Sequence, residues 1–325
     1  MWFLAWREIK HSRVRFGLLA TLVALVAYLV FVMTGLAVGL GEASVSGLRK
    51  LPGDHVLFAG HVQRSLDRSD LPAGLPVGGT PIGFSMANLA SGQEVVSVGL
   101  LGIGDQPGLI LDTSAKEKLR AGQTVKVQPS GMELTVAGFA DLGTYQHTPV
   151  AQVPLSTWQE LRRTPGRVSA YLLDGSVTAP PGTELATKDE AIGSVGSYVA
   201  ETSTIGLIRS FLYGGAALLI ATVFWILTLQ KEGSLAVLRA TGARRTLLLG
   251  SYLLEVLLTL AAGVGVSAGL AAMSSVLLPD GVFALRLSDT LAAAGLLTLL
   301  ALAGSLVSMR RLLTVDPLLS LGRSS

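Results

Sequence analysis

The stretch Ile205–Leu249, IGLIRSFLYGGAALLIATVFWILTLQKEGSLAVLRATGARRTLLL, decides how the rest of the chain is read. Its first part, Ile205–Leu229, carries a single charge, Arg209, and exceeds the roughly 20 apolar residues that a helix needs to cross a bilayer. The next part, Gln230–Arg245, is too polar to remain in lipid, yet Leu235, Val237 and Leu238, with Leu247 beyond them, supply an apolar edge. This combination predicts a transmembrane helix followed by a short amphipathic helix at the membrane surface, offered to a partner in the cytoplasm. A further apolar span, Thr246–Leu278, starts directly afterwards.

Working outward, Phe16–Leu40 is an uncharged apolar run, longer than the 7–15 residues of a signal-peptide core, and reads as an uncleaved first transmembrane helix. Before it, Met1–Arg15 sets Trp2, Phe3, Leu4, Trp6 and Ile9 against Arg7, Lys10, Arg13 and Arg15, the composition of an amphipathic elbow at the headgroup level. After Thr246–Leu278 come an outer turn, residues 279–289, and a fourth span, Thr290–Met309, followed by Arg310, Arg311 and a tail to Ser325. Lys and Arg flank the membrane at the N-terminus, between helices two and three, and after helix four, so the positive-inside rule makes these segments and both termini cytoplasmic.

Residues 41–204 differ in character. Prolines, glycines and charges enter, and short β-branched or alternating runs are separated by turn signals. Strands are expected at His55–Phe58, Glu94–Leu101, Thr124–Gln128, Glu133–Phe139, Val150–Val153 and Ala170–Leu173, and helices at Ser114–Arg120 and Ser156–Arg163. Arg64–Thr80 is expected to be a loop, and residues 54–92 carry no functional reading. The fold class is a helical membrane protein with four transmembrane helices and an α+β extracytoplasmic domain inserted between helices one and two.

Half of the 325 residues are hydrophobic and the formal net charge is only +3. That is too apolar for an ordinary soluble domain, and the basic residues cluster beside apolar spans rather than along an aromatic-studded face, which disfavours nucleic-acid binding. Without cysteine the domain has no disulfides and no thiolate chemistry. No G-x-x-x-x-G-K-[ST] loop is present to cradle ATP, so an ATPase would be a separate chain. Gly263-Val264-Gly265 with Gly269 lies inside a membrane span and suits helix packing. His11, His55, His61 and His147 lack metal-site spacing, and no Ser-His-Asp or H-E-x-x-H arrangement occurs, so no catalytic residue is expected. Glu255, the acid within a span, suits a structural pairing.

Three stretches carry a family resemblance. TLQK (Thr228–Lys231) followed by LAVLRATGA (Leu235–Ala243) resembles the helix-to-hinge segment of MacB/FtsX-type ABC permeases, most nearly that of the HrtB-like haem-exporter permeases. The pattern W-R-E-I-K-x-S-x-x-R-F from Trp6 to Phe16 resembles the start of the first helix in the same proteins. Gly138–Val150 (GFADLGTYQHTPV) with Val153–Trp158 (VPLSTW) resembles the extracytoplasmic domain of the haem-exporter branch.

The resemblance implies a permease of the bacterial cytoplasmic membrane that homodimerises and binds two copies of an ATPase subunit, which holds ATP and Mg. Lys231, Glu232, Leu235, Leu238, Arg239, Arg244 and Arg245 would form the ATPase-coupling surface. Haem would be the substrate rather than a resident cofactor, with Tyr213 or Glu201 toward iron, Arg209 toward a propionate and Tyr145 reaching down. Phe31, Met33, Leu36 and Phe211 would provide the apolar wall. The same resemblance leaves open a MacB-type permease for lipids, lipoproteins or antimicrobial peptides, and an FtsX-like transducer that switches a cell-wall hydrolase.

Overall fold

A computed structural model describes residues 2–175, 177–240, 242, 245–278 and 281–314. The chain divides into two compact units, Met1–Val38 with Thr204–Ser325, and Gly39–Ser203.

The first unit is helical. Helix α1 (Trp2–His11) is followed, one residue on, by α2 (Arg13–Lys50), and the unit also contains most of α5 (Gly196–Ala240), α6 (Arg245–Leu277) and α7 (Leu287–Thr314). Four of these, α2, α5, α6 and α7, are long and apolar enough to cross a membrane, as the hydropathy pattern predicts. Their cores are two clusters: Phe16, Val23, Ile220, Phe224, Tyr252, Val256 and Leu260 in one, Val30, Phe31, Ala216, Ala271 and Leu297 in the other. Small residues set the closest approaches. A Cβ on Gly263 would stand 2.7 Å from Val23 Cγ1 and 2.9 Å from the Ala20 carbonyl, and Ser267 Oγ donates to the Ala24 carbonyl at 2.7 Å. Gly263 thus allows α6 to lie against α2, the packing role expected of small residues in lipid. Phe283, after α6, covers Gly35 of α2, and the Ala284 amide donates to the Gly35 carbonyl at 3.1 Å.

Helix α7 starts at Leu287 and runs to Thr314, beyond the expected span Thr290–Met309 at both ends, and three other boundaries differ from expectation. Helix α2 continues to Lys50 and α5 starts at Gly196, so both helices run on as helix within the second unit. The reason lies in their apolar positions there: Val45 and Leu48 lie one turn apart and are fully buried, and Tyr198 packs on the same core. At its other end α5 continues without a break to Ala240, so the first part of the polar hinge is the end of the same helix rather than a separate surface piece.

The second unit is β-rich. Its strands are β1 (His55–Ala59), β2 (Leu71–Pro72), β3 (Thr80–Ser91), β4 (Glu94–Ile103), β5 (Leu109–Asp112), β6 (Thr124–Gln128), β7 (Met132–Ala140), β8 (Thr144–Tyr145), β9 (Thr148–Val153), β10 (Arg167–Val168), β11 (Ala170–Leu173) and β12 (Thr183–Thr187), with helices α3 (Leu155–Arg162) and α4 (Lys188–Ile192). The six expected strands all form. The expected helix at Ser114–Arg120 is a single 3₁₀ segment, Thr113–Glu117, its start capped by Asp112.

The pairings β3–β4–β9–β5–β7–β6 return to β3, closing a six-stranded barrel. Alternate residues fill it, including Val96, Val98 and Leu100 from β4 and Leu109 and Leu111 from β5, and Trp158 of α3 joins them. Beyond the barrel, β11, β1 and β12 extend the sheet from β3. Their buried face, with Ile82, Phe84 and Leu101 of the barrel wall, packs on Val45, Leu48 and α4.

The longest strand, β3, is not among the expected ones and lies in the stretch with no functional reading. Its TPIGFSMANLAS carries Pro81 and Gly83, residues of low strand propensity, and Gly83 makes room for a tryptophan: a Cβ there would be 2.2 Å from the Trp158 ring, and one on the neighbouring Gly102 would be 2.5 Å from Trp158 Cβ. The expected loop Arg64–Thr80 contains β2 and buries Leu66, Leu71 and Val77.

Candidate functional site

Within the second unit, the ends of α2 and α5 meet a strap formed by Asp141–Val150. The strap is the GFADLGTYQHTPV stretch, and its hydrogen bonds explain the residue types found there. Thr144 is tied closely to α2: its hydroxyl donates to the Ala43 carbonyl at 2.7 Å and shares a bond with Ser46 Oγ at 3.0 Å, and its amide donates to Ser46 Oγ at 2.9 Å. The amides of Gln146 and His147 donate to the carbonyls of Ser44 (2.9 Å) and Ala43 (3.1 Å). Both residues have positive φ, +48° and +63°, an uncommon backbone for side chains with a Cβ. The turn is held in it by those bonds.

Close approach requires glycine twice. Gly143 has φ +78°, and a Cβ on it would lie 2.8 Å from the Gly47 amide nitrogen, while one on Gly47 would lie 2.6 Å from Val150 Cγ2. Asp112, buried at the end of β5, accepts from the Gly143 amide at 2.6 Å and from Ser114, which anchors the strap to the barrel. An ion pair between Lys50 and Asp141 closes its outer end.

The strap reaches α5 through one cluster. His147 Nε2 lies 2.5 Å from Glu201 Oε1 and 3.1 Å from Ser44 Oγ, and Ser44 Oγ donates to Glu201 Oε2 at 2.8 Å. Three residues far apart in sequence thus join α2, the strap and α5. Both carboxylate oxygens of Glu201 are engaged, and the cluster is partly exposed. It resembles a Ser-His-acid set in composition only: Ser44 donates to the carboxylate rather than to the imidazole, and a single imidazole nitrogen meets both partners.

The expected substrate residues fall into different settings. Tyr145 does not reach out. Its ring is buried in the domain core and meets Phe84 edge-on at 4.6 Å, and burial, with the charge of Asp67, pushes its hydroxyl up to about 12. Glu201 belongs to the cluster just described. In the first unit, Arg209 and Tyr213 lie one turn apart on α5, the guanidinium 6.0 Å from the ring centroid, within cation–π range. Tyr213 packs partly against the second helical cluster, whereas Phe211 is 75% exposed. Phe31 is fully buried among the helices, so it is core rather than open wall, while Met33 and Leu36 are half-buried. Among the coupling residues, Arg244 and the side chains of Lys231, Glu232, Leu235, Leu238, Arg239 and Arg245 lie outside the described residues. Sequence reasoning missed Ser44 and the His147–Glu201 contact. The polar run Glu42–Ser46 at the end of an apolar helix was the available signal.

No protein-family model matches the chain. Among curated proteins it is 24% identical over 349 aligned residues to a Staphylococcus haemolyticus protein whose assigned name, itself an inference, is hemin transport system permease protein HrtB. It is 22% identical over 348 aligned residues to the protein of the same name in Staphylococcus epidermidis. These alignments cover 98% of this chain and 99% of each relative. The four long apolar helices and the inserted β-rich domain suit a multi-pass permease. From the elbow to the fourth long helix, the chain is similar to the HrtB-like ABC permeases.

Proposed function

We propose that this chain is the membrane subunit of an ATP-driven efflux pump for haem, acting as a homodimer on two copies of a separate ATPase in the bacterial cell membrane. The observation that carries the reading is the similarity, end to end, to staphylococcal proteins named for hemin transport. In this reading the basic ends of the helices are cytoplasmic and the β-rich domain lies outside.

Tyr213 and Arg209 are the substrate residues best supported by geometry. A phenolate oxygen ligates ferric iron, and a guanidinium pairs with a carboxylate. On α5 the two groups already share a face, so a flat dicarboxylate can meet both at once. Phe211, two residues from each, projects from the opposite face of α5 and does not belong to this pair. Glu201 acts differently, as the residue through which α5 is fastened to the strap and α2.

The hinge is the ATPase contact. Because α5 is continuous from Gly196 to Ala240, a push on its cytoplasmic end moves a single rod whose other end carries Glu201. ATP closure would therefore load the His147–Glu201–Ser44 cluster directly. Purified full-length protein titrated with hemin should develop a Soret band that Tyr213→Phe or Arg209→Ala weakens. An unaltered band in both variants would overturn these assignments.

A further inference from the structure

The barrel is closed between β3 and β6 by only three residue pairs, Asn88 with Gln128, Leu89 with Val127 and Ala90 with Lys126. On the same edge β11 pairs with β3 only as far as Ile82. Ser169 then extends the edge by one step, its hydroxyl accepting from the Phe84 amide at 2.9 Å and donating to the Phe84 carbonyl at 3.2 Å. Alternate residues of a strand direct their backbone groups to the same side, so Met86, between Phe84 and Asn88, faces this edge with no strand residue paired opposite it.

A cavity of about 370 Å³ opens at the gap, a size at the lower end of ligand sites, which run from about 300 to 1,000 Å³. Its floor is barrel core, Leu100 and Val127, and its walls include Met86 and Leu161. Arg162 and Arg163, at the end of α3, form the lip. No acidic residue lines the cavity, and neither guanidinium has a carboxylate partner among the described residues. The lining therefore mixes apolar side chains with the polar Ser85, Gln128 and Ser130, and is cationic at the mouth.

We propose that this barrel seam binds a small single-chain amphipathic carboxylate, its head at Arg162 and Arg163 and its chain along the exposed Met86 and the half-buried Leu161. Charge complementarity selects the head, since a guanidinium binds a carboxylate by charge-assisted hydrogen bonds. Met86 and Leu161 select the tail, since covering their accessible surface removes apolar area from water. The site lies wholly within the second unit and is independent of the haem reading.

The seam carries its own reporter. Trp158 is buried beside it, and its indole N–H donates to Ser85 Oγ at 3.1 Å, with Ser85 lining the cavity. Full-length protein in lipid nanodiscs is titrated with ω-bromohexanoate, a contact quencher, and with the corresponding amide, the Trp158 signal being the difference from Trp158→Phe. Saturable quenching by the carboxylate alone is expected. Its affinity should fall at least about tenfold in Arg162→Gln/Arg163→Asn, in which Asn suits the left-handed backbone of residue 163. Saturation-transfer NMR of hexanoate on wild type and on this double variant repeats the comparison without a tryptophan substitution. Quenching that does not saturate, that the amide equals, or that the double variant retains would overturn the proposal, as would equal saturation transfer to both proteins.

Discussion

Glu201 and His147, 54 residues apart, share a hydrogen bond of 2.5 Å that joins the start of α5 to the strap along the end of α2. Because Ser44 of α2 donates to the other oxygen of the same carboxylate, Glu201 makes a polar link between two long helices of the chain.

Replacing His147 by Ala removes one partly exposed contact and leaves the backbone bonds of the strap in place. Such pairs contribute under about 1 kcal/mol, so the melting temperature should hardly move. Local opening should change instead: the amides of Gln146 and His147, which donate to α2 carbonyls, should exchange faster with deuterium. Exchange at the wild-type rate would show that the cluster does not hold the strap.

Gly83→Ala should destabilise the β-rich domain by about 1–3 kcal/mol, because its methyl would be 2.2 Å from the Trp158 ring and must displace a core side chain. Denaturant unfolding followed by tryptophan emission measures this. A variant as stable as wild type would mean that Trp158 repacks freely.

In the helical unit, Gly263→Ala should weaken packing of α6 on α2, since the added methyl meets Val23 at 2.7 Å. The close Ala20 carbonyl limits relief, so Val23→Ala should recover only part of the lost thermal stability in detergent. Full recovery, or no loss at all, would contradict the contact as drawn.

Tyr145 gives a pH dependence. Its hydroxyl is raised to about 12 in the folded domain, mainly by burial, against about 10 in an unfolded chain. Between these values the unfolded state has lost the proton and the folded state retains it, so stability falls as pH rises from about 10 to 12. A two-unit difference corresponds to about 2–3 kcal/mol. Tyr145→Phe cannot ionise and should lack this component, leaving a shallower alkaline loss in thermal melts. Identical alkaline profiles for wild type and variant would contradict it.

Much of this architecture was legible in the sequence, for physical reasons that vary from element to element. The four spans are set by apolar length alone, β4, β6, β7 and β9 by β-branched or alternating runs, and β1 and β11 by short apolar runs between turn signals. Helix α2 beyond Leu40 was not legible, because Glu42, Ser44 and Ser46 look like the start of a loop until the partners of the two serines, His147 and Thr144 on the strap and Glu201 on α5, are known. Strand β3 was hidden by Gly83, a residue chosen by the tryptophan across from it rather than by strand propensity. The strap motif was recognisable, yet its purpose was not: Tyr145 reads as a ligand candidate in sequence and is a core residue in the fold.

The haem-efflux reading is tested most directly by growth on graded hemin of a strain lacking this chain, complemented with wild type, Tyr213→Ala or Arg209→Ala. Loss of the chain should sensitise cells to hemin, with wild type restoring growth and both variants restoring it poorly. Equal hemin tolerance with and without the chain would contradict the reading.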